Sequence, residues 1–443
     1  MSTVGVIGLG KLGLPLAAVL AEEGYDVIGC DRISGHVNAL MDRTFRSNEP
    51  GLMSMLEMFR ASLQFTTNIG ALVPATDMCF IVVPTPSSPD QPEFSLKYVI
   101  EAIHDVTKAV NAERKRDYVI VLVSTVMPGA CERVLWPMIE SMSAAAYTPQ
   151  LVYNPEFIAL GNVIHGMRHP DLILIGGKDE SAMRKVANTV VGLTRTCVPD
   201  LRLMGWTNAE LTKLCINAGL GWKITLANLI STACEMFPGA DSDVVSRAVG
   251  ADTRIGAKYL SGGMGFGGPC LPRDIEALKF VLSQSQSRSA VWTKSLLDDV
   301  TGFNESRVMS VTDHIVSRVP LPGPIAVIGM AYRDGTPVLE ASQPLEIAMD
   351  LHKLGFKVHV CDSEIGSSSL AAGSLDQFLW FDSAKDCIAG CRGIVLPKWT
   401  AQAEELRYLV LPSPCVIVDC WRQLPAIIGA REGITYIPFG RSL

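Results

Sequence analysis

The sequence predicts an α/β fold: two doubly wound domains joined by a helical domain with a long central helix. Three observations predict it. A strand, a glycine-rich turn, a helix and a second strand follow in order at the N-terminus. A helical pattern then runs unbroken from Thr207 to about Met236. A second strand–turn–helix–strand unit opens after Pro320-Leu321-Pro322-Gly323-Pro324, a linker signal.

The N-terminal unit carries a dinucleotide fingerprint in its required context. Val4-Gly5-Val6-Ile7 is a short apolar run suited to a buried parallel strand. It leads into Gly8-Leu9-Gly10-Lys11-Leu12-Gly13, and residues 14–23 read as a helix closed by Gly24. A second strand, 25–30, ends at Asp31. Gly8 makes the tight turn, Gly10 lets the backbone approach a pyrophosphate, and Gly13 lets helix and strand pack closely. The helix N-terminus faces the phosphate charge. Asp31 would accept from ribose hydroxyls and repel a 2′-phosphate, so the expected cofactor is NAD. The alternative is a glycine-rich turn in some other doubly wound sheet.

Further strands are expected at 77–83 and 118–123. They end in Pro84-Thr85-Pro86 and Ser124-Thr125-Val126. Ligands of open α/β sheets bind beyond the carboxyl ends of strands, so Val83, Pro84, Thr85 and Thr125 are cofactor-edge candidates. Plain strand termination is the other reading. Residues 151–153 read as a last short strand, with Glu156 at its rim in Asn154-Pro155-Glu156-Phe157.

In the middle, Thr207-Asn208-Ala209-Glu210 fits a capping box opening the long helix. Lys213 and Asn217, four apart, share one face. With Glu210 and Asn228 they are the polar minority of a helix apolar nearly all round, which implies burial. A buried lysine needs a task or a partner, unless it snorkels to the surface. Arg254, in Asp252-Thr253-Arg254-Ile255-Gly256, could clamp a phosphate.

The C-terminal unit has a strand at 325–328, a turn through Arg333, and a helix from about 344 to 354. A strand at 357–361 then ends at Asp362, and others follow at 392–396 and 415–419. It echoes the first unit without the full glycine set. The expected domains are 1–200, a Rossmann-like nucleotide domain; 201–305, helical; and 306–443, a second Rossmann-like domain.

Cys270 stands in Gly265-Phe266-Gly267-Gly268-Pro269-Cys270-Leu271-Pro272-Arg273-Asp274. The glycines read as a flexible approach with little bulk. Pro272 suits the first turn of a following helix. A thiol just before a helix N-terminus has its thiolate favoured by free amides and the dipole, a setting for a nucleophile. The alternative is a small buried apolar residue.

Bulk properties exclude several classes. The 443 residues are 48% hydrophobic and 19% charged, an ordinary globular composition. A net charge of −7 without a long basic run argues against nucleic acid as a partner. Twelve cysteines without dense spacing or a C-x-x-C pair point to free thiols in a reducing cytoplasm, and no metal site is expected. No apolar stretch approaches ~18 residues, so no membrane partner is expected.

Taken together, the chain resembles the UDP-glucose/GDP-mannose 6-dehydrogenase family over nearly its whole length. The motifs are GVIGLGKLGLP, the Ser124-Thr125-Val126 turn, NPEF, AELTKLCIN, DTRIG and FGGPCLPRD. The resemblance implies oxidation of a nucleotide sugar at C6 to a carboxylate with two NAD, UDP-glucose being the leading substrate. Alternatives are GDP-mannose, a UDP-N-acetylhexosamine, a one-step β-hydroxyacid dehydrogenase, and a sensor without turnover. It implies catalytic roles for Cys270, Lys213, Asn217, Asp274, Glu156 and Thr125. It places substrate along Glu156, Phe157, Ile158, Leu160, Lys213, Asn217, Arg254, Tyr259, Gly265, Phe266, Gly267 and Arg333. It also implies dimerisation through the helical domain, Arg254 acting from a neighbouring subunit, and a homodimer or larger assembly. The chain departs from the family pattern at Leu160, where a second acid is usual. It departs again at Arg333 in place of lysine, at Val338 and Glu340 in place of an aspartate and an arginine, and loosely around Arg422.

Overall fold

The computed structural model describes residues 2–87, 90–158, 160–195, 199–365 and 375–442. The chain divides into two compact units, 1–215 and 216–443.

The first unit is built on β1 (Thr3–Ile7), β2 (Asp26–Cys30), β3 (Leu63–Thr66), β4 (Met78–Ile81), β5 (Val119–Leu122), β6 (Gln150–Tyr153), β7 (Leu172–Gly177) and β8 (Asp200–Met204). They form one sheet in the order β3-β2-β1-β4-β5-β6-β7-β8. Every pairing is parallel except β6 with β7. Alternate residues feed opposite cores: Val119 and Val121 of β5 join one, Ile120 and Leu122 the other. Burial on both faces is why these strands read as unbroken apolar runs. Helix α1 (Gly13–Glu22) follows the glycine turn.

The strand at 150–153 is not the last of this sheet. β7 reverses direction against β6, and β8 closes the edge. Asp200 and Arg202 give β8 the look of a loop, and most of it is exposed.

Helix α2 (Trp206–Glu235) begins in the first unit and continues into the second. It starts before Thr207, so the expected capping box does not form. The fully buried Glu210 carboxylate instead accepts from Gly129 N at 2.5 Å and Cys131 N at 2.8 Å. Nor is α2 buried all round, because Trp222, Leu226 and Leu229 are exposed.

The second unit adds α3 (Ser242–Ala251), α4 (Leu271–Ser283), α5 (Arg288–Val316), α6 (Gln343–Lys353) and a parallel sheet. Its strands are β9 (Pro324–Ile328), β10 (Lys357–Cys361), β11 (Leu379–Trp380), β12 (Gly393–Leu396), β13 (Cys415–Asp419) and β14 (Ile434–Pro438). Their order is β11-β10-β9-β12-β13-β14, the doubly wound order of the first six strands of the first sheet. Among the described residues no helix is long and apolar enough to cross a membrane, and no three metal-ligating side chains converge.

Candidate functional site

The glycine turn of the first unit assigns each glycine separate work. Gly8 sits at φ +92°, and its N–H donates to Cys30 O at 2.8 Å. A Cβ on Gly13 would collide with the Gly8 carbonyl, so α1 could not lie so close to β1. A Cβ on Gly10 would meet no protein atom within 4 Å. That open side is where a pyrophosphate could approach the backbone. Leu9 is buried, while Lys11 is exposed and Leu12 half-buried. Asp31 already has work: it accepts Leu9 N on Oδ2 and Ile33 N on Oδ1, both at 2.9 Å. A carboxylate has about four acceptor sites, so capacity remains for ribose hydroxyls. Arg32, its neighbour, stacks over the Tyr98 ring at 4.4 Å.

The rim beside this turn is tied by hydroxyls. Ser124, which sequence reasoning left out of the site, accepts from Val83 N at 3.0 Å and donates to Val83 O at 2.7 Å. Thr85 donates to Thr125 O at 2.8 Å. The loops after β4 and β5 therefore form one ledge, with Pro84 exposed on it. The small residues at these strand ends were the only available signal for Ser124.

After β6, the buried Lys213 donates to Glu156 O at 2.7 Å and lies 4.7 Å from the Phe157 ring centre. Burial pushes the Glu156 carboxyl up to about 7, against the pull of the Lys213 ammonium. Ile158 and Leu160, both partly buried, pack against the core of this unit.

In the second unit Cys270 is the N-cap of α4, exposed, with Pro272 in the first turn. One turn on, Asp274 is fully buried. Its carboxylate accepts from Asn217 Nδ2 at 2.6 Å and from Arg273 Nη2 at 3.1 Å. Asn217 and Lys213 are one turn apart on α2, as their spacing requires.

The glycines before Cys270 are not a flexible approach. A Cβ on Gly262 would lie 2.7 Å from Ala227 O, one on Gly263 2.7 Å from the Trp421 ring, and one on Gly267 would strike Ala341 O. Gly268 combines φ +81° with a Tyr332 ring in the space of its missing side chain. They are close-approach positions. Phe266 is buried with Ile275, Leu297 and Val300.

A cavity of about 430 Å³ lies beside this segment. Ile224, Tyr259, Met264, Gly265 and Trp421 line it, with polar groups from Asp243, Ser246 and Arg247. Tyr259 holds φ +63°. Arg254 is exposed and pairs with its own neighbour, Asp252, at 2.6 Å. Arg422 is spent on structure: it binds Asp243 through two nitrogens at 2.8 and 2.9 Å and donates to Phe439 O and Gly262 O.

In the second sheet the glycine that directly follows β9, Gly329, is covered. Lys398 lies over Gly329, where a Cβ would sit 2.7 Å from its Cγ. Asp362 accepts from Met330 N at 2.6 Å, Ala331 N at 3.0 Å and Lys398 Nζ at 3.1 Å. Burial raises its carboxyl, but Lys398 and these amides outweigh that and hold it below the usual value. Asp362 was visible as a strand-ending acid; Lys398 gave no signal. Arg333 is half-buried beside them, its carbonyl 3.4 Å from Lys398 Nζ.

Residues 2–191 match the NAD-binding domain of the UDP-glucose/GDP-mannose dehydrogenase family, and 207–305 match its central domain. A UDP-glucose 6-dehydrogenase from Rickettsia bellii is 30% identical over 99% of both chains. The UDP-glucose 6-dehydrogenase AglM of Haloferax volcanii is 28% identical, covering 98% of this chain and 99% of its own. A solved UDP-glucose dehydrogenase from Pyrobaculum islandicum superposes with a TM-score of 0.86 at 27% identity, over 99% of this chain and 97% of that one.

Proposed function

Because the chain belongs to the UDP-glucose/GDP-mannose dehydrogenase family of NAD-dependent nucleotide-sugar dehydrogenases, we propose that it oxidises the C6 alcohol of a nucleotide sugar, UDP-glucose first, to the uronate through a thioester on Cys270. The observation that carries this reading is the Cys270 set: a thiol capping α4, and a buried Asp274 one turn on, held by Asn217.

Bound in the Gly8–Gly13 cradle, NAD supplies the hydride acceptor, once for each oxidation. The open face above Gly10 and the spare acceptor sites of Asp31 fit that cofactor. The residues of the chain do the rest. The Cys270 sulfur adds to the C6 aldehyde, giving a thiohemiacetal. Loss of a second hydride and a proton makes the thioester, and water cleaves it to carboxylate and free thiol. Lys213 and Asn217 stabilise oxygen charge as it develops. Asp274 and Thr125 order water or pass protons. Glu156, titrating near neutrality, serves the hydrolytic step or holds the sugar.

The nucleotide end of the substrate lies along Tyr259 and Gly265, in the cavity they line, and Arg333 reaches the diphosphate. Trp222, Leu226 and Leu229 of α2, with Val244 and Val245 of α3, present exposed apolar side chains. They support a homodimer joined through exposed apolar residues of these helices.

Purified protein, NAD and a panel of nucleotide sugars test the reading. Two NADH per uronate are expected, and Cys270→Ser abolishes uronate formation. One NADH per turnover with release of a keto product, or full activity in Cys270→Ser, overturns it.

A further inference from the structure

Between Gly262 and Phe266 the backbone is gripped by buried side chains from separate elements. Arg422 donates to Gly262 O at 2.8 Å. Asn228 of α2 accepts from Gly263 N at 2.8 Å and donates to Met264 O at 3.1 Å. Arg307 of α5 donates to Gly263 O at 3.0 Å. Gln343, the first residue of α6, accepts from Gly265 N at 2.7 Å. Asn304 of α5 accepts from Phe266 N at 2.7 Å and donates to Phe266 O at 2.9 Å. Gln343 Nε2 also donates to Asn304 O at 2.9 Å, which joins two of the clamps. Beyond them, Gly268 N donates to Ala341 O at 3.1 Å, just before α6.

A run so rich in glycine loses much conformational entropy on ordering. Five buried polar side chains on five consecutive residues oppose that loss and hold one conformation. A buried loop needs its amides satisfied in any protein, and that demand alone could explain some of these bonds. It does not explain their place. The held segment is the cavity wall at Met264 and Gly265, and four residues past Phe266 it delivers Cys270. It therefore sets the span between where a nucleotide lies and where the sulfur stands.

We propose that Asn304 and Gln343 are positioning residues for oxidation at Cys270, fixing this segment so that sulfur and substrate carbon meet. The inference rests on the reading of Cys270 as the nucleophile. A misplacement of about 1 Å at such a site costs about 10²-fold in rate.

The test compares Asn304→Ala and Gln343→Ala with the wild type. One readout is kcat and KM, with the sugar the wild type oxidises and with NAD. The other is the rate of iodoacetamide labelling at Cys270 relative to the exposed Cys215, read by mass spectrometry. We expect kcat to fall about 10²-fold while KM for NAD holds, since the glycine cradle is untouched. The Cys270-to-Cys215 labelling ratio falls, because a loosened segment frays the first turn of α4 whose amides favour a thiolate. A merely structural role lowers the melting temperature but leaves kcat per folded molecule and the labelling ratio at wild-type values, and that outcome overturns the proposal. If Asn304→Ala does not fold, Gln343→Ala decides by the same two readouts. A wild type that oxidises no nucleotide sugar sinks the reading of the active site, and the labelling ratio then decides the clamp by itself.

Discussion

Gly10 and Gly13 lie three residues apart in one turn, yet substitution should separate binding from folding. A methyl group on Gly10 enters open space, so Gly10→Ala should melt close to the wild type. The same methyl would occupy the ground proposed for a pyrophosphate. KM for NAD should rise about tenfold or more, the effect of ~1.4 kcal/mol of lost binding. Gly13→Ala drives its methyl into the Gly8 carbonyl and should cost about 1–3 kcal/mol in stability, measured by urea denaturation. Equal melting temperatures for the two variants would contradict the separate tasks assigned to these glycines. Glu156 gives a pH test at the same scale. Its carboxyl titrates near 7 when folded and near 4.5 when exposed, so the folded chain holds the proton more tightly. Stability linked to it is fully present below about 4.5 and is lost as the pH rises through 7. Wild-type turnover should show an ionisation near 7 that Glu156→Gln removes. An unchanged pH profile in that variant would take Glu156 out of the chemistry.

At the scale of elements, the sequence exposed what is local and concealed what is not. The glycine turn, the ends of α1 and the proline in the first turn of α4 follow from backbone geometry within a few residues, so they could be read directly. Glu210 misled because Thr207 and Glu210 have capping-box spacing, while the amides that Glu210 satisfies belong to Gly129 and Cys131. The grip of Arg422 on Gly262 spans 160 residues and has no local signature. The glycines near Cys270 were legible as glycines, but not as seats for Asn304, Ala341 and Tyr332. Helix α2 was legible in length and polar positions. Its exposed stripe was not, because a sequence rich in apolar residues does not say which of them the fold leaves exposed. Leu229 tests that stripe. It is exposed, so Leu229→Glu should leave the melting of the isolated chain nearly unchanged. If a second copy covers the stripe, the buried charge should convert dimers to monomers in sedimentation equilibrium. Monomers in the wild type, or dimers that persist in the variant, would dismiss this face as the contact.

Across the whole molecule the first six strands of one sheet and the six strands of the other share a parallel order, and the sequence announced both through strand, turn, helix and acid. Topology alone would therefore predict two dinucleotide sites. The side chains at the two turns argue otherwise. In the first unit the face above Gly10 is open, and the strand-ending Asp31 keeps acceptor capacity. In the second unit Lys398 covers Gly329, and Asp362 spends one oxygen on Met330 N, Ala331 N and Lys398. Clearing that turn for a pyrophosphate would strand a buried carboxylate, and breaking a buried ion pair costs roughly 3–5 kcal/mol. Titration calorimetry should accordingly find one NAD bound per chain. Lys398→Met should destabilise the protein without adding a second site, and Gly10→Ala should weaken the single site without revealing another. A stoichiometry of two NAD per chain in the wild type would show that Lys398 swings aside at little cost, and the division of labour between the two sheets would fail with it.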